Sequence, residues 1–148
     1  MSKVRISKQF MFEMAHALPG HDGPCRNIHG HSYELTVTIT GTPNPDSTSP
    51  KYGMLIDFKD LKKIIHEAVI SHFDHALLLR KDAHPELKEL LQDYGSKLIL
   101  VDYQPTSENM VIDFAAKIIK LLPPEISLHS LRLRETVTSF AEWFADEN

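Results

Sequence analysis

Apolar and polar residues alternate from Val4 to about Ala17, where Val4 and Ile6 are followed by Phe10, Phe12 and Met14. Period-two alternation places such side chains on one side of an extended chain, so the run predicts a strand buried on one face. Pro19, Gly20, Gly23 and Pro24 then predict a turn and a loop over 18–25. In a second strand, Tyr33, Leu35, Val37 and Ile39 alternate with Glu34, Thr36, Thr38 and Thr40. Gly41 to Tyr52, with Pro43, Pro45 and Pro50, is a long turn. At Asp57 the period changes: Leu61, Ile64, Ile65, Ala68, Val69 and His72 recur at helical spacing and define one buried face, with Asp57 as cap and Asp60 in the first turn. A second helix is predicted after Pro105, capped by Thr106 or Ser107. Its apolar stripe is Met110, Phe114, Ile118 and Leu121 or Leu122, and Pro123 and Pro124 stop it. Between the helices, the run from Pro85 to Gln92 reads as a short helix and Lys97 to Val101 as a strand. Leu128 to Thr136 and Phe140 to Phe144 read as a closing hairpin.

The order strand, strand, helix, helix, strand, strand predicts an α+β fold: a four-stranded antiparallel sheet with two helices on one face and an insertion between them. The uncovered sheet face predicts burial against another copy of the chain. A chain of 148 residues, 42% apolar and 24% charged, fits a single domain over 1–148 with a core that needs no disulfide. A net charge of −4 without a basic stripe argues against a nucleic-acid partner, and no apolar run reaches membrane-spanning length. The N-terminal residues lead directly into strand-like alternation, and one lone cysteine fits a reducing compartment, so a cytoplasmic protein is expected.

Candidate chemistry gathers at Cys25, His29, Gly30 and His31, read with His16. On an extended segment His29 and His31 point to the same side, and Gly30 leaves the strand free to bend or to approach another backbone. His16 ends the first alternating run and supplies a third imidazole. Three histidines without a fourth protein ligand are the composition of a catalytic zinc site, whose open position takes water or substrate. Zinc (Zn2+) is favoured over iron or copper by the donor set, with nickel or cobalt able to substitute. Cys25, four residues before His29, stands near this site without having to be a ligand.

Asp74 and His75 invite a dyad reading, in which a carboxylate orients an imidazole; a solvated helix end is the alternative. Glu135 occupies the parity of Leu131 and Leu133, where an ionised group needs a partner. It either holds a donor-rich heterocycle or pairs with Arg132 or Arg134. Thr106 and Glu108 are accounted for by helix capping alone.

Taken in order, His16, the Cys25 to His31 run, Asp74 with His75, the stretch Pro105 to Asn109 and Arg134-Glu135-Thr136 resemble the 6-pyruvoyltetrahydropterin synthase and 6-carboxytetrahydropterin synthase family. The resemblance runs from about Ile6 to Phe144 and implies the tunnelling fold, with subunits joined through their sheets, commonly as a hexamer built as a dimer of trimers. Three residues between Cys25 and His29 resemble the carboxy-forming branch that feeds queuosine and deazapurine synthesis. That branch converts 7,8-dihydroneopterin triphosphate to 6-carboxy-5,6,7,8-tetrahydropterin, releasing acetaldehyde and triphosphate. The resemblance implies zinc on His16, His29 and His31, Cys25 as proton acceptor, and His75 and Glu135 in a charge relay, with Asp74 orienting His75. It further implies that Glu135 anchors the pterin, with Thr106 and Glu108 nearby. The stretch from His75 to Thr106 is longer than the family pattern by about a short helix and a strand. Two other readings are a pyruvoyl-forming enzyme and a non-catalytic zinc- or pterin-binding module.

Overall fold

In the computed structural model, which describes residues 1–83 and 85–148, the two alternating runs become paired strands. β1 (Val4–His16) and β2 (His29–Gly41) are antiparallel, with Val4 opposite Gly41 and His16 opposite His29. This register puts the even positions of β1 and the odd positions of β2 on one face, where Phe10, Phe12, Met14, Tyr33, Leu35, Val37 and Ile39 are buried. A slip of one residue would turn the apolar set of a strand outward, so burial itself fixes the register. It also fixes three histidines, because His16, His29 and His31 share the parity of that core.

α1 (Phe58–Ile65), capped by the Asp57 side chain, leads through a wide π-turn (His66–Ile70) into α2 (Ser71–Phe73). The π-turn adds a residue to the helical phase. In consequence Phe73, not His72, reaches the core, and His72 is exposed, which corrects its place on the predicted buried face.

The expected four-stranded antiparallel sheet is corrected to six strands. Residues 76–104 supply β3 (Ala76–Arg80), α3 (Pro85–Tyr94) and β4 (Leu98–Val101), and the sheet order is β4-β3-β1-β2-β5-β6. β3 runs parallel to β1 and to β4, whereas β5 (Ser127–Thr136) and β6 (Ser139–Phe144) extend the antiparallel side. Ala76 to Leu79 is a short continuous apolar run without alternation, the pattern of a parallel strand covered on both faces, and so gives no period to read. The predicted short helix and strand of this segment are present, and α3 covers a small second core with Leu87 and Leu91 against Ala17, Leu79 and Ala83.

α4 (Ser107–Ile119) lies with α1 and α2 on one side of the sheet, where Phe12, Phe73 and Phe114 meet edge to face. The other side is polar rather than apolar: Ser7 bonds Thr38 at 2.7 Å, Ser32 donates to Glu13 at 2.7 Å and Arg132 pairs with Glu142 at 3.2 Å. Among the described residues, no helix is long and apolar enough to cross a membrane.

Candidate active site and metal centre

Along the central strand pair, the core gives way at one end to three imidazoles. One ring nitrogen from each of His16, His29 and His31 lies within 4.8 Å of the others. His16 is 1% exposed, and its Nδ1 faces the Pro105 carbonyl at 2.7 Å; Nδ1 of His29 faces the Asn27 carbonyl at 2.7 Å. A carbonyl only accepts, so both Nδ1 atoms must carry the proton, and the two Nε2 atoms present lone pairs. Those Nε2 atoms face each other at 3.1 Å. Two lone pairs at that distance repel unless a cation lies between them. Zinc–nitrogen bonds of about 2.0–2.1 Å in a tetrahedral site require nitrogens about 3.3 Å apart, close to this arrangement. Nε2 of His31 is buried without a hydrogen-bond partner among the described residues, 3.5 Å from Oε1 of Glu135. The three residues therefore fit a metal ion, and the backbone carbonyls behind His16 and His29 hold those two rings as outer partners of a metal site do.

Desolvation lowers the proton affinity of both His16 and His31 below the ordinary histidine value. For His16 the Pro105 carbonyl and then Glu135 oppose the shift, and for His31 Glu135 does so. Neutral imidazoles are the form that ligates a metal.

Glu135 sits where the β5–β6 register breaks: Arg134 opposes Phe140 and Thr136 opposes Ser139, leaving Glu135 unmatched. The extra residue is a bulge that turns its carboxylate toward the histidines. Its other oxygen, Oε2, accepts a short hydrogen bond from the Ser107 hydroxyl. Ser107 was expected only as a possible cap, and its link to Glu135 has no signal in sequence spacing. The arginine alternatives are spent elsewhere, Arg132 on Glu142 and Arg134 on the Val137 carbonyl at 2.7 Å. Ser107, Glu108, Glu135 and Phe140 line a hollow of about 160 Å³. Thr106 is the cap of α4, its hydroxyl accepting from the Asn109 N–H at 3.3 Å.

Cys25 lies half-buried in a short turn (Pro24–Arg26), with its carbonyl bonded to the Leu18 N–H at 2.9 Å. It stands outside the ligating group. Asp74 and His75 are brought together, Oδ1 to Nδ1 at 3.0 Å, despite being adjacent in sequence. His75 achieves this by adopting a positive φ of 61°. The same Asp74 oxygen accepts the Glu13 N–H at 2.9 Å, which holds its carboxyl below the usual carboxylate range, with His75 and Lys97 adding to the effect. His75 borders a hollow that His31 also lines, together with Glu13, Ala15, Gly30 and Ser32, the last four being positions of β1 and β2 outside the parity of the core. A Cβ on Gly30 would make only ordinary contact, 3.4 Å from the Met14 carbonyl, so close strand approach is not what the position requires.

Residues 5–146 match the 6-pyruvoyl tetrahydropterin synthase family. A Haemophilus influenzae protein named 6-carboxy-5,6,7,8-tetrahydropterin synthase is 39% identical over 94% of this chain and 97% of its own length. One of the same name from a Synechocystis strain is 34% identical, covering 95% of this chain and 92% of its own length. The structure of Caenorhabditis elegans 6-pyruvoyl tetrahydropterin synthase, at 23% identity, shares the fold with a TM-score of 0.70 over 98% of this chain and 97% of the other. The chain therefore belongs to the 6-pyruvoyl tetrahydropterin synthase family of enzymes.

Proposed function

We propose that this protein is a zinc-dependent 6-carboxy-5,6,7,8-tetrahydropterin synthase, a single pterin-synthase-like domain acting in the cytoplasm on the route to queuosine. It converts 7,8-dihydroneopterin triphosphate to 6-carboxy-5,6,7,8-tetrahydropterin with release of acetaldehyde and triphosphate. The names of the relatives support this reading, as does the three-residue gap between Cys25 and His29. The observation that carries it is the pair of carbonyl-fixed imidazoles whose lone pairs converge beside Nε2 of His31.

His16, His29 and His31 would hold the zinc. When bound, it supplies Lewis-acid stabilisation of negative charge that develops on side-chain oxygens of the substrate. Cys25 is the proton acceptor. Glu135, aimed by its bulge and held by Ser107, anchors the amino and ring N–H edge of the pterin, with Thr106 and Glu108 at the margin. His75, oriented by Asp74, moves the second proton. The dyad docks on the edge of β1 through Glu13 and is no part of the ligating group, and it serves the site of a neighbouring copy. The protein is thus a homo-oligomer, a hexamer built as a dimer of trimers.

The test is incubation of the zinc-loaded protein with 7,8-dihydroneopterin triphosphate and mass analysis of the products. The carboxy product with acetaldehyde is expected; a pyruvoyl product without acetaldehyde assigns the chain to the pyruvoyl-forming activity for which its family is named. No turnover, together with ligand affinity unchanged in Cys25→Ala, would mark a non-catalytic binding module.

A further inference from the structure

The chemistry above makes no use of residues 76–104, yet that segment ends in a residue whose side chain and backbone carbonyl both bond to the frame of the site. Nε2 of Gln104 donates to the Pro19 carbonyl at 3.1 Å, and Oε1 accepts from Nη1 of Arg80 at 3.1 Å. The Gln104 backbone carbonyl accepts from the Asn109 side chain at 3.0 Å and from the Thr106 N–H at 2.7 Å. Arg80 is itself held by Asp82, Nε to Oδ1 at 2.5 Å. Each partner restricts a different degree of freedom. Arg80 offers only donors, so the amide of Gln104 must present oxygen to it and nitrogen to Pro19.

Two parts of the site depend on that one residue. The carbonyl that follows it, on Pro105, orients the His16 ring. Pro19 begins the loop that returns to Cys25, and the loop is closed by the Leu18 N–H on the Cys25 carbonyl. Between those points His21, Asp22 and Pro24 are exposed. With so little apolar burial, a few hydrogen bonds decide where the loop sits.

We propose that Gln104 is a positioning residue: its amide, braced by Arg80, sets the Cys25 loop against the carbonyl that orients His16. The inference rests on the proposed role of Cys25 as proton acceptor. It assigns the inserted β3-α3-β4 segment a purpose, since Arg80 comes from β3.

Gln104→Glu separates positioning from bulk structure. It keeps the oxygen that Arg80 requires and nearly the same shape, but sets a second acceptor against the Pro19 carbonyl. A displacement of about 1 Å costs on the order of a hundredfold in rate, so kcat should fall between about tenfold and a hundredfold, with KM within about twofold. Zinc content should stay at the wild-type level. Alkylation of Cys25 by iodoacetamide, read cleanly because it is the chain's one cysteine, should change in rate several-fold at fixed pH. Arg80→Ala, which removes only the brace, should shift both readouts in the same direction by less. Wild-type kcat and alkylation rate in Gln104→Glu overturn the proposal, as does a loss of zinc and melting temperature that accounts for the whole effect. Should Gln104→Glu fail to fold, unchanged readouts in Arg80→Ala overturn it. If the wild-type protein turns over no pterin substrate, the alkylation rates alone decide, so the two readings fail separately.

Discussion

At the scale of single residues, the site is organised by which atoms have already lost a choice. The Pro105 and Asn27 carbonyls fix the protons on His16 and His29, which leaves two lone pairs aimed at one point. His29→Ala should therefore lose stoichiometric zinc, read by elemental analysis or by cobalt absorbance, while the fold survives; full occupancy in that variant would remove the metal assignment. A pH dependence follows from the same burial. His16 and His31 have proton affinities depressed below the ordinary value of 6.5, chiefly by desolvation, so the unfolded chain binds more protons than the folded one as pH falls past that value. Stability of the metal-free protein should be complete above about pH 6.5 and decline progressively in acid. Zinc should move that decline to lower pH, because a ligated nitrogen cannot take up a proton. Denaturant midpoints across pH 5 to pH 8, with and without zinc, measure both effects, and a midpoint that rises on acidification would contradict them.

At the scale of elements, capping and packing carry different weights. Thr106→Ala removes the cap of α4 and should cost about 1 kcal/mol of stability. Phe114→Ala empties a site packed by Phe12 and Phe73 and should cost about 3–5 kcal/mol, enough to decide whether the domain folds at all. Chemical denaturation orders the two; a cap loss equal to the core loss would mean that α4 is held by its end. The same contrast explains what could be read from sequence. β1, β2, the final hairpin and α4 were legible because each buries one face and so writes its period into the chain. β3 was not, because Ala76 to Leu79 is covered on both sides and has no period. His72 was misplaced because nothing in the residue types announces the π-turn that hands its position to Phe73. The histidine triad was legible, since parity alone put all three rings on one face. Ser107 was not, because its contact with Glu135 depends on a bulge and on the approach of a helix end to a strand 28 residues away in sequence.

At the scale of the whole molecule, the proposed chemistry is divided between a core-facing triad and a dyad at a strand edge. The triad belongs to the inward parity of β1 and β2, while Asp74 and His75 dock on the edge of β1 through Glu13, and His75 borders a hollow that His31 also lines. The outer edge of β1 pairs with β3 only over Met14–His16, and β6 is the last strand on the other side of the sheet. Open edges at both ends allow strands of neighbouring copies to join, and a head-to-tail contact of this kind closes into a ring when the rotation permits. In the proposed ring the dyad of one copy would serve the site of the next, a geometry that kinetics can detect. Cys25→Ala and His75→Ala should each be nearly inactive alone. Unfolded together and refolded at equal amounts, they should regain about a quarter of wild-type turnover, since a random site draws an intact thiol and an intact imidazole from different copies about half the time each. Sedimentation should show the mixture at the same size as the wild-type assembly. Failure to regain activity at that size would place Cys25 and His75 of a single chain in one site, beside the hollow that His31 and His75 already share.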